Sequence, residues 1–333
     1  MKNYIITVGA CAALITGACA HAQVTLYGEL DAGVGQRFKE DGQGMITNFD
    51  GMSRWGMRGG EDLGSGWKAH FNFESASINL GTGALNGIGG MNRQAWVGLS
   101  SGMGSVMLGR TTTPQNRIMG VFDLNGTADG SSALLHVGLA ANGSFGGSRQ
   151  NSQIQYALPK MAGLEARIAY VFKDNRPASA NKAFVQAATR YQAGGLTLGA
   201  TVQGKMSPLS DHRTGYSLGA KYDFGVVAIS ALYTQRETKS AGKGWGLGAA
   251  LPLGSLTVGA QVARLTSSGD ASYKGATTLE LFADYPLSKR TRLYANFGRL
   301  NDKARWFNGT VVEGKRTVAP NKQAFATGIV HNF

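Results

Sequence analysis

Apolar and polar residues alternate along most of the chain with a period of two. In residues 67–74 the apolar side chains are Trp67, Ala69, Phe71 and Phe73, and the other four residues are polar. A β-strand directs such alternating residues to opposite faces. The same pattern recurs in residues 196–203, 216–223 and 277–285. Beyond the N-terminal region no segment has the apolar spacing of a helix. The pattern predicts an all-β protein whose strands have one apolar and one polar face.

The segments that join the predicted strands alternate in length. Short turns are predicted at residues 60–66, 101–104, 159–163, 192–195, 223–225, 252–255 and 287–291. Longer loops, rich in Gly, Ser and Asn, include residues 39–52, 76–92, 111–149, 173–182, 206–214 and 301–321. A barrel inserted into a membrane from one side has short periplasmic turns and long external loops. The lengths therefore predict a transmembrane antiparallel β-barrel of about 16 strands.

The N-terminus has the features of an export signal. Lys2 is followed by an apolar run over residues 5–20, and Ala20-His21-Ala22 has the small residues that a signal peptidase recognises. We predict a cleaved signal peptide at residues 1–22 and one barrel domain at residues 23–333. Both cysteines, Cys11 and Cys19, leave with this signal, so the mature chain has neither a disulfide nor a thiolate metal site.

The C-terminus ends an alternating run over residues 325–333 with the aromatic residue Phe333. In an exported chain without a predicted membrane-spanning helix, a terminal strand that ends in an aromatic residue is typical of a barrel in a bacterial outer membrane. We predict that Phe333 is the assembly signal of that barrel. The predicted location is the outer membrane of a Gram-negative bacterium, with membrane lipid around the barrel.

The chain is basic, with a formal net charge of +13. A basic excess can indicate nucleic acid, an anionic membrane surface or small anions as partners. Export argues against nucleic acid, and the basic residues are spread singly along alternating strands. This distribution favours a wall that lines a path for anionic solutes. The mature histidines are scattered without the spacing of metal ligands, and we predict no cofactor and no metal site.

Eight short segments occur in order along the chain: VTLYG at 24–28, SRWGMRG at 53–59, GEDLG at 60–64, NRQAWVGL at 92–99, LGR at 108–110, NSQIQY at 151–156, YPLSKRT at 285–291 and ATGI at 326–329. Together they resemble the trimeric general porins of the beta-proteobacterial type. The resemblance implies a sixteen-stranded barrel, assembled as a homotrimer, with a water-filled pore in each subunit. It also implies that the long third loop, residues 111–149, folds inward and narrows the pore.

The resemblance further implies a ladder of arginines on the pore wall at the constriction. Its predicted members are Arg54, Arg93 and Arg149, with Arg110 close by. The predicted acidic residues of the third loop that face this wall are Asp123 and Asp129. Four basic groups against two acidic groups predict a weak to moderate preference for anions. The alternative is that these arginines form structural pairs with nearby carboxylates, namely Glu61, Asp62 or Glu74.

Strand parity extends the predicted lining of the pore. Arg58 lies on the same face as Arg54, and parity adds Lys68, a neutral His70 and Glu74 as secondary lumen charges. It also predicts that four more basic residues face the lumen: Arg167, Arg190, Lys221 and Arg264.

An enzymatic alternative comes from Ser217, which lies in a G-x-S-x-G pattern over residues 215–219. A nucleophile elbow needs a strand, a sharp turn and then a helix, whereas Ser217 lies within continuous strand-like alternation. We therefore predict a passive, non-enzymatic channel for small hydrophilic solutes and ions. A channel specific for one solute and an outer-membrane hydrolase are the alternatives.

Overall fold

The computed structural model describes residues 23–76, 78–84, 90–140, 147–173, 182–312 and 315–333. The strands are β1 (Gln23–Gln36), β2 (Gly44–Thr47), β3 (Arg54–Gly64), β4 (Trp67–Ala76), β5 (Gln94–Ser101), β6 (Gly104–Thr112), β7 (Arg149–Ala157), β8 (Leu164–Val171), β9 (Phe184–Ala193), β10 (Leu196–Gln203), β11 (Gly215–Asp223), β12 (Ala228–Gln235), β13 (Lys243–Leu253), β14 (Leu256–Ser267), β15 (Thr277–Pro286), β16 (Thr291–Leu300), β17 (Val311–Val312), β18 (Lys315–Arg316) and β19 (Gln323–Asn332). The helices are α1 (Pro114–Met119) and α2 (Asp302–Phe307), with short 3-10 turns at Gly120–Phe122 and Leu135–Val137. No helix in these ranges is long and apolar enough to cross a membrane.

Sixteen of these strands, β1, β3 to β16 and β19, form one closed antiparallel sheet. The sheet closes at β1, whose first half pairs with β3 and whose second half pairs with β19. At this junction Gly28 and Phe333 exchange two backbone hydrogen bonds of 3.1 Å. The predicted sixteen-stranded barrel is therefore confirmed, and the C-terminal aromatic residue lies where the barrel closes. The pair β17 and β18 forms a separate two-stranded hairpin, and β2 pairs with β1 in the first loop.

The apolar and polar residues that alternate along the sequence lie on opposite faces of the barrel wall. In β10, Leu198 and Val202 are exposed on the outside, whereas Thr197 and Thr201 are buried on the inside. The same pattern recurs in β15, where Leu279 and Leu281 point outward. An apolar outer face matches lipid, and the polar inner face lines a channel.

The connections between consecutive barrel strands alternate between short and long, as predicted. All seven predicted short turns join neighbouring strands at one end of the barrel, and the long loops lie at the other end. The turn between β3 and β4 needs two left-handed residues, Ser65 at φ 50° and Gly66 at φ 78°. Two-residue turns with positive φ match the twist of the strands that they join.

The third loop folds into the barrel, as the resemblance implied. It begins with α1, whose first turn is capped by the Thr113 hydroxyl, which accepts a hydrogen bond from the Asn116 N–H at 3.2 Å. Its apolar residues form the main buried cluster together with the inner wall. Phe122 packs on Gly199 of β10 and Gly219 of β11, where a Cβ atom would lie 2.5 Å from its ring. These wall glycines provide a flat surface for the loop in addition to any role in strand bending.

Candidate pore constriction

The structure brings together Arg54, Arg93 and Arg149, three of the four predicted arginines. They line a recess of about 420 Å³ between the barrel wall and the third loop. Arg54 begins β3, Arg93 directly precedes β5 and Arg149 begins β7, so the three side chains come from one side of the barrel. The loop residues opposite them are Asn116, Gly120, Asn125, Gly126, Thr127 and Asp129.

Two carboxylates hold two of these arginines in place. Glu29 accepts hydrogen bonds from both terminal nitrogens of Arg54, at 2.7 and 3.2 Å. Glu74 accepts one from Arg93 Nε at 2.5 Å and lies 3.7 Å from Arg54 Nε. Such forked pairs fix the guanidinium planes. The pairing with Glu74 was predicted as an alternative to a pore position, and the structure shows both together. Glu29 was not predicted.

Arg149 differs from these two because it forms no ion pair within the described part of the chain. Its Nη1 donates to the Ser148 hydroxyl at 2.8 Å, and its buried Nε has no hydrogen-bond partner there. Arg149 is therefore the wall arginine whose charge is least neutralised by the protein.

Arg110 does not line this recess. Its Nε donates to the Asn92 carbonyl at 2.6 Å, and its Nη1 donates to Asn151 Oδ1 at 2.5 Å. Leu108, two residues before Arg110, is exposed on the outer face, whereas Met107 and Thr111 are buried, so simple alternation in β6 also directs Arg110 away from the pore. The pairing of β6 with β7 is irregular between Gly109 and Thr111.

Asp129 faces the arginines, as predicted. It lines the recess, and burial raises the pKa of its carboxyl to about 6, against the opposing effects of Arg93, Arg37 and Arg149. The loop carboxyl is therefore mostly ionised at pH 7 and mostly neutral at pH 5.

The prediction for Asp123 is wrong, because this residue lies away from the arginines. Its carboxylate is buried and accepts hydrogen bonds from Ser132 Oγ at 2.6 Å and from Gln261 Nε2 at 2.8 Å. The same Gln261 amide donates to Glu280 of β15 at 2.9 Å. Burial raises the pKa of the Asp123 carboxyl. Asp123 thus fixes the loop to the β14–β15 wall, and the sequence did not reveal which wall the residue would meet.

Three further charged groups of the constriction, Asp50, Arg292 and Arg117, were missed. Asp50, from the first loop, lines the recess and forms an ion pair with Arg292 of β16. Burial raises the pKa of the Asp50 carboxyl to about 6, although Arg292 opposes this shift. An irregular loop has no periodicity from which the direction of Asp50 could be predicted.

Arg117 on α1 is the third missed group. Its side chain is exposed inside the barrel, and it has no ion pair among the described residues. Its charge interacts with Arg167 and Glu165 of β8 and with Glu74 of β4, so it lies between these two parts of the wall. The third loop therefore brings a basic group to the pore as well as acidic ones.

The secondary lumen charges fall into two groups. Arg58, Lys68 and His70 line a separate recess of about 630 Å³ near the short turns, whereas Glu74 belongs to the constriction. Arg58 stacks over the ring of Tyr27 at 4.9 Å, and Tyr27 in turn donates a hydrogen bond to Glu74 at 2.9 Å.

The parity predictions hold for three of the four additional basic residues. Arg167 and Arg190 point inward and share Glu165, at 3.1 and 2.6 Å, and Lys221 lines an inner recess. The prediction for Arg264 is wrong. It alternates with the buried Ala263 and Leu265 and therefore points outward.

Ser217 is in the middle of β11, with no helix after it, as expected from the sequence. Its hydroxyl shares a hydrogen bond of 2.9 Å with the Thr234 hydroxyl and is fully buried under the third loop. Within the described residues, no group of three His, Cys, Asp or Glu side chains could hold a metal ion.

A closed barrel with an apolar exterior, a charged interior and an inward-folded loop defines a β-barrel membrane channel. The chain belongs to the Gram-negative porin family, whose family model matches residues 10–305. It is 31% identical to outer membrane porin protein 32 of Delftia acidovorans over 322 residues, covering 91% of this chain and 90% of that protein. An outer membrane porin of Bordetella pertussis is 31% identical over 293 residues, with 76% and 74% covered.

Solved structures show the same architecture. An anion-selective porin from Comamonas acidovorans superposes with a TM-score of 0.74 and 27% identity, covering 94% of this chain and all of that one. OmpF of Salmonella typhi, at 17% identity and a TM-score of 0.69, shares the fold. The chain is thus a porin of the Gram-negative outer membrane, a channel for small hydrophilic solutes.

Proposed function

We propose that this porin is a passive, non-enzymatic diffusion channel with a weak preference for anions, and that it works as a homotrimer. The observation that carries the anion preference is the balance of paired and unpaired charges around the constriction. Arg54 and Arg93 are neutralised by Glu29 and Glu74, and Asp50 and Asp284 both contact Arg292. These groups shape the pore, and with three bases against four acids they leave one negative charge beside Arg292.

The unpaired groups decide the sign of the local potential. Arg149 and Arg117 are the unpaired bases beside the passage, and Asp129 is the loop acid that faces them. These two bases outnumber Asp129 by one, which offsets the extra acid beside Arg292. Arg167 and Arg190 share the single carboxylate of Glu165, so one base remains in excess and favours anions modestly. A narrow pore with low-dielectric walls increases the influence of such fixed charges on which ions enter.

The test is a reversal-potential measurement on the refolded protein in a planar lipid bilayer under a potassium chloride gradient. We expect a small potential of the anion-selective sign. A potential of cation-selective sign contradicts the proposal. Current that rises linearly with solute concentration is expected for a general channel, whereas saturation by one solute would indicate a specific channel.

Three further parts of the proposal have their own tests. The trimer rests on the resemblance to trimeric porins, and closure of the conductance in groups of three steps supports it. Export with cleavage after Ala22 predicts that the protein from membranes begins at Gln23, which mass spectrometry can check. The assembly role of Phe333 predicts that deletion of this residue lowers the yield of folded barrel in the membrane, which heat-modifiable migration on a gel measures.

A further inference from the structure

Between the constriction and the short turns, the inner wall carries an aromatic and a basic side chain two strands apart. Arg58 of β3 is opposite Asn72 of β4 in the register, and Asn72 is opposite Trp96 of β5. Since neighbouring strands lie about 4.8 Å apart, the Cα atoms of Arg58 and Trp96 are about 10 Å apart. All three residues line the recess of about 630 Å³ near the short turns. Arg58, Asn72 and Trp96 are called the Trp96 row below.

Trp96 faces the lumen, whereas the aromatic girdles of membrane barrels lie on the outer face. Val97 and Leu99 have the opposite strand parity and are 59% and 46% exposed on the lipid side. The indole Nε1 donates to Gln94 Oε1 at 3.1 Å, and the His70 ring packs against the indole at 5.4 Å with an interplanar angle of 89°. The plane of the indole is therefore fixed in advance. Trp96 is only half-buried, so part of its ring is open to the recess.

Arg58 supplies a positive charge that is not held by a carboxylate. Its side chain is exposed to the lumen, and it forms no ion pair among the residues that the structure describes. The guanidinium lies 4.9 Å from the centre of the Tyr27 ring, which fixes its position. A guanidinium that stacks on a ring keeps the N–H donors in its plane, where a carboxylate can accept two of them.

The acidic groups near the Trp96 row are engaged elsewhere. Glu74, on the constriction side of the row, is bonded to Arg93 at 2.5 Å. Asp62, on the turn side, is opposite Lys68 in the register, so these two charges offset each other. Glu61 is opposite Ala69 and has the outward strand parity. The guanidinium of the Trp96 row is therefore the charge that a solute meets beside the indole.

We propose that the Trp96 row binds aromatic carboxylates on their way through the channel. The ring of the solute stacks on the indole of Trp96, and its carboxylate accepts two hydrogen bonds from the guanidinium of Arg58. A carboxylate attached directly to one ring matches this spacing, because the two long side chains meet above the short amide of Asn72. This inference rests on the proposed diffusion channel, since the solute reaches the recess through the pore.

The experiment measures the binding of benzoate to the folded protein in detergent by ligand-observed NMR titration, which does not depend on ion current. Cyclohexanecarboxylate, which has the charge without the aromatic ring, and benzamide, which has the ring without the charge, are the comparison probes. The variants are Trp96→Leu and Arg58→Gln. The matched controls are Trp245→Leu and Arg264→Gln, because Trp245 and Arg264 are opposite each other on the outer face of the wall.

We expect the wild type to bind benzoate about threefold to tenfold more tightly than cyclohexanecarboxylate, which corresponds to one stacked aromatic pair. Trp96→Leu should abolish this difference. Arg58→Gln should weaken benzoate binding about tenfold and leave benzamide binding unchanged, since a charge-assisted pair is lost. Both control variants should bind all three probes as the wild type does. Heat-modifiable migration on a gel shows that each variant is folded.

Three results overturn the inference. Equal affinity of the wild type for benzoate and cyclohexanecarboxylate shows that the recess does not recognise the ring, and this comparison needs no variant. A preference for benzoate that persists in Trp96→Leu shows that the ring binds elsewhere. An equal loss of benzoate binding in Arg58→Gln and in Arg149→Gln shows that the carboxylate binds at the constriction. The two proposals fail separately, because a cation-selective reversal potential contradicts the anion preference and leaves the binding result as measured.

Discussion

The two walls that flank the third loop use charge in different ways. On the β3–β7 wall, Arg54 and Arg93 are paired with carboxylates but remain beside the water-filled recess. On the β14–β15 wall, Gln261 and Glu280 are buried beneath the loop and satisfy its polar groups. The first wall presents charge to solutes. The second wall removes charge and amide groups from water to hold the loop.

Carboxylates therefore have different roles on the two walls. A carboxylate that faces water can pair with an arginine and still contribute to the field in the pore. A buried carboxylate must have its hydrogen bonds satisfied inside the protein, because an unsatisfied buried group costs about 1–3 kcal/mol. Glu280 accepts from Asn125 Nδ2, Ser131 Oγ, the Ala133 N–H and Gln261 Nε2.

The largest expected effect is therefore on the anchoring wall. Replacing Glu280 by Ala leaves Asn125 Nδ2, Ser131 Oγ and the Ala133 N–H without their acceptor, whereas Gln261 Nε2 keeps its bond to Asp123. Relief of the repulsion from Asp123 offsets only part of that loss. We expect the free energy of unfolding to fall by about 3–5 kcal/mol and the open-channel current to become larger and noisier as the loop detaches. Urea unfolding and single-channel recording measure these changes.

A water-facing carboxylate provides the comparison. Glu165 of β8 is paired with Arg167 and Arg190 in the lumen, and its contact with the third loop is the longer-range attraction to Arg117. Glu165→Ala should change the unfolding free energy by less than about 1 kcal/mol. If both variants lose the same stability, the distinction between the two walls is wrong.

The next largest effect is on the charge-presenting wall. The double variant Arg149→Gln/Arg117→Gln removes both unpaired guanidinium groups and leaves Asp129 in place. The anion preference should disappear or reverse, since the local balance changes from two positive charges and one negative charge to one negative charge. Arg110→Gln is the matched control, because its guanidinium is bonded to Asn92 and Asn151 outside the recess. Reversal potentials under a salt gradient should change only in the double variant.

A smaller effect is expected from pH. The pKa values of Asp50 and Asp129 are both about 6, so both carboxyls lose their negative charge between pH 7 and pH 5. The anion preference should therefore increase as the pH falls through 6. In the Asp129→Asn variant the anion preference should increase less on acidification. At pH 7 its anion preference should already be close to that of the wild type at lower pH. An anion preference that weakens on acidification contradicts this assignment.

The smallest effect concerns Ser217, which tests the enzymatic alternative. Ser217→Ala removes the hydroxyl beside Thr234, whose own hydroxyl also reaches the Leu139 carbonyl at 3.4 Å. We expect unchanged conductance and a stability loss of about 1 kcal/mol. Ester hydrolysis by the wild type that disappears in this variant would establish a catalytic role and overturn the proposal of a channel without one.

The sequence predicted the fold because one physical rule governs every strand of this protein. Lipid outside and water inside impose a period of two, and insertion from one side separates short turns from long loops. The same rule correctly directed Arg54 and Arg58 to the inner face. It failed for Arg264 because the register of a single strand is not visible without its neighbours. Arg110 was placed at the constriction by the resemblance alone, although it has the strand parity of the outward-facing Leu108.

The tertiary structure determined which charged side chains face the interior of the pore. The third loop has no repeating pattern, so its sequence did not show that Asp123 would be buried on β14 while Asp129 and Arg117 would face the passage. Pairs such as Asp50 with Arg292 join residues that are distant in the chain and meet only when the barrel closes. Sequence alone determined the wall and its two faces, because alternation is local. The folded chain determined which charges remain unpaired, because pairing depends on where the loop packs.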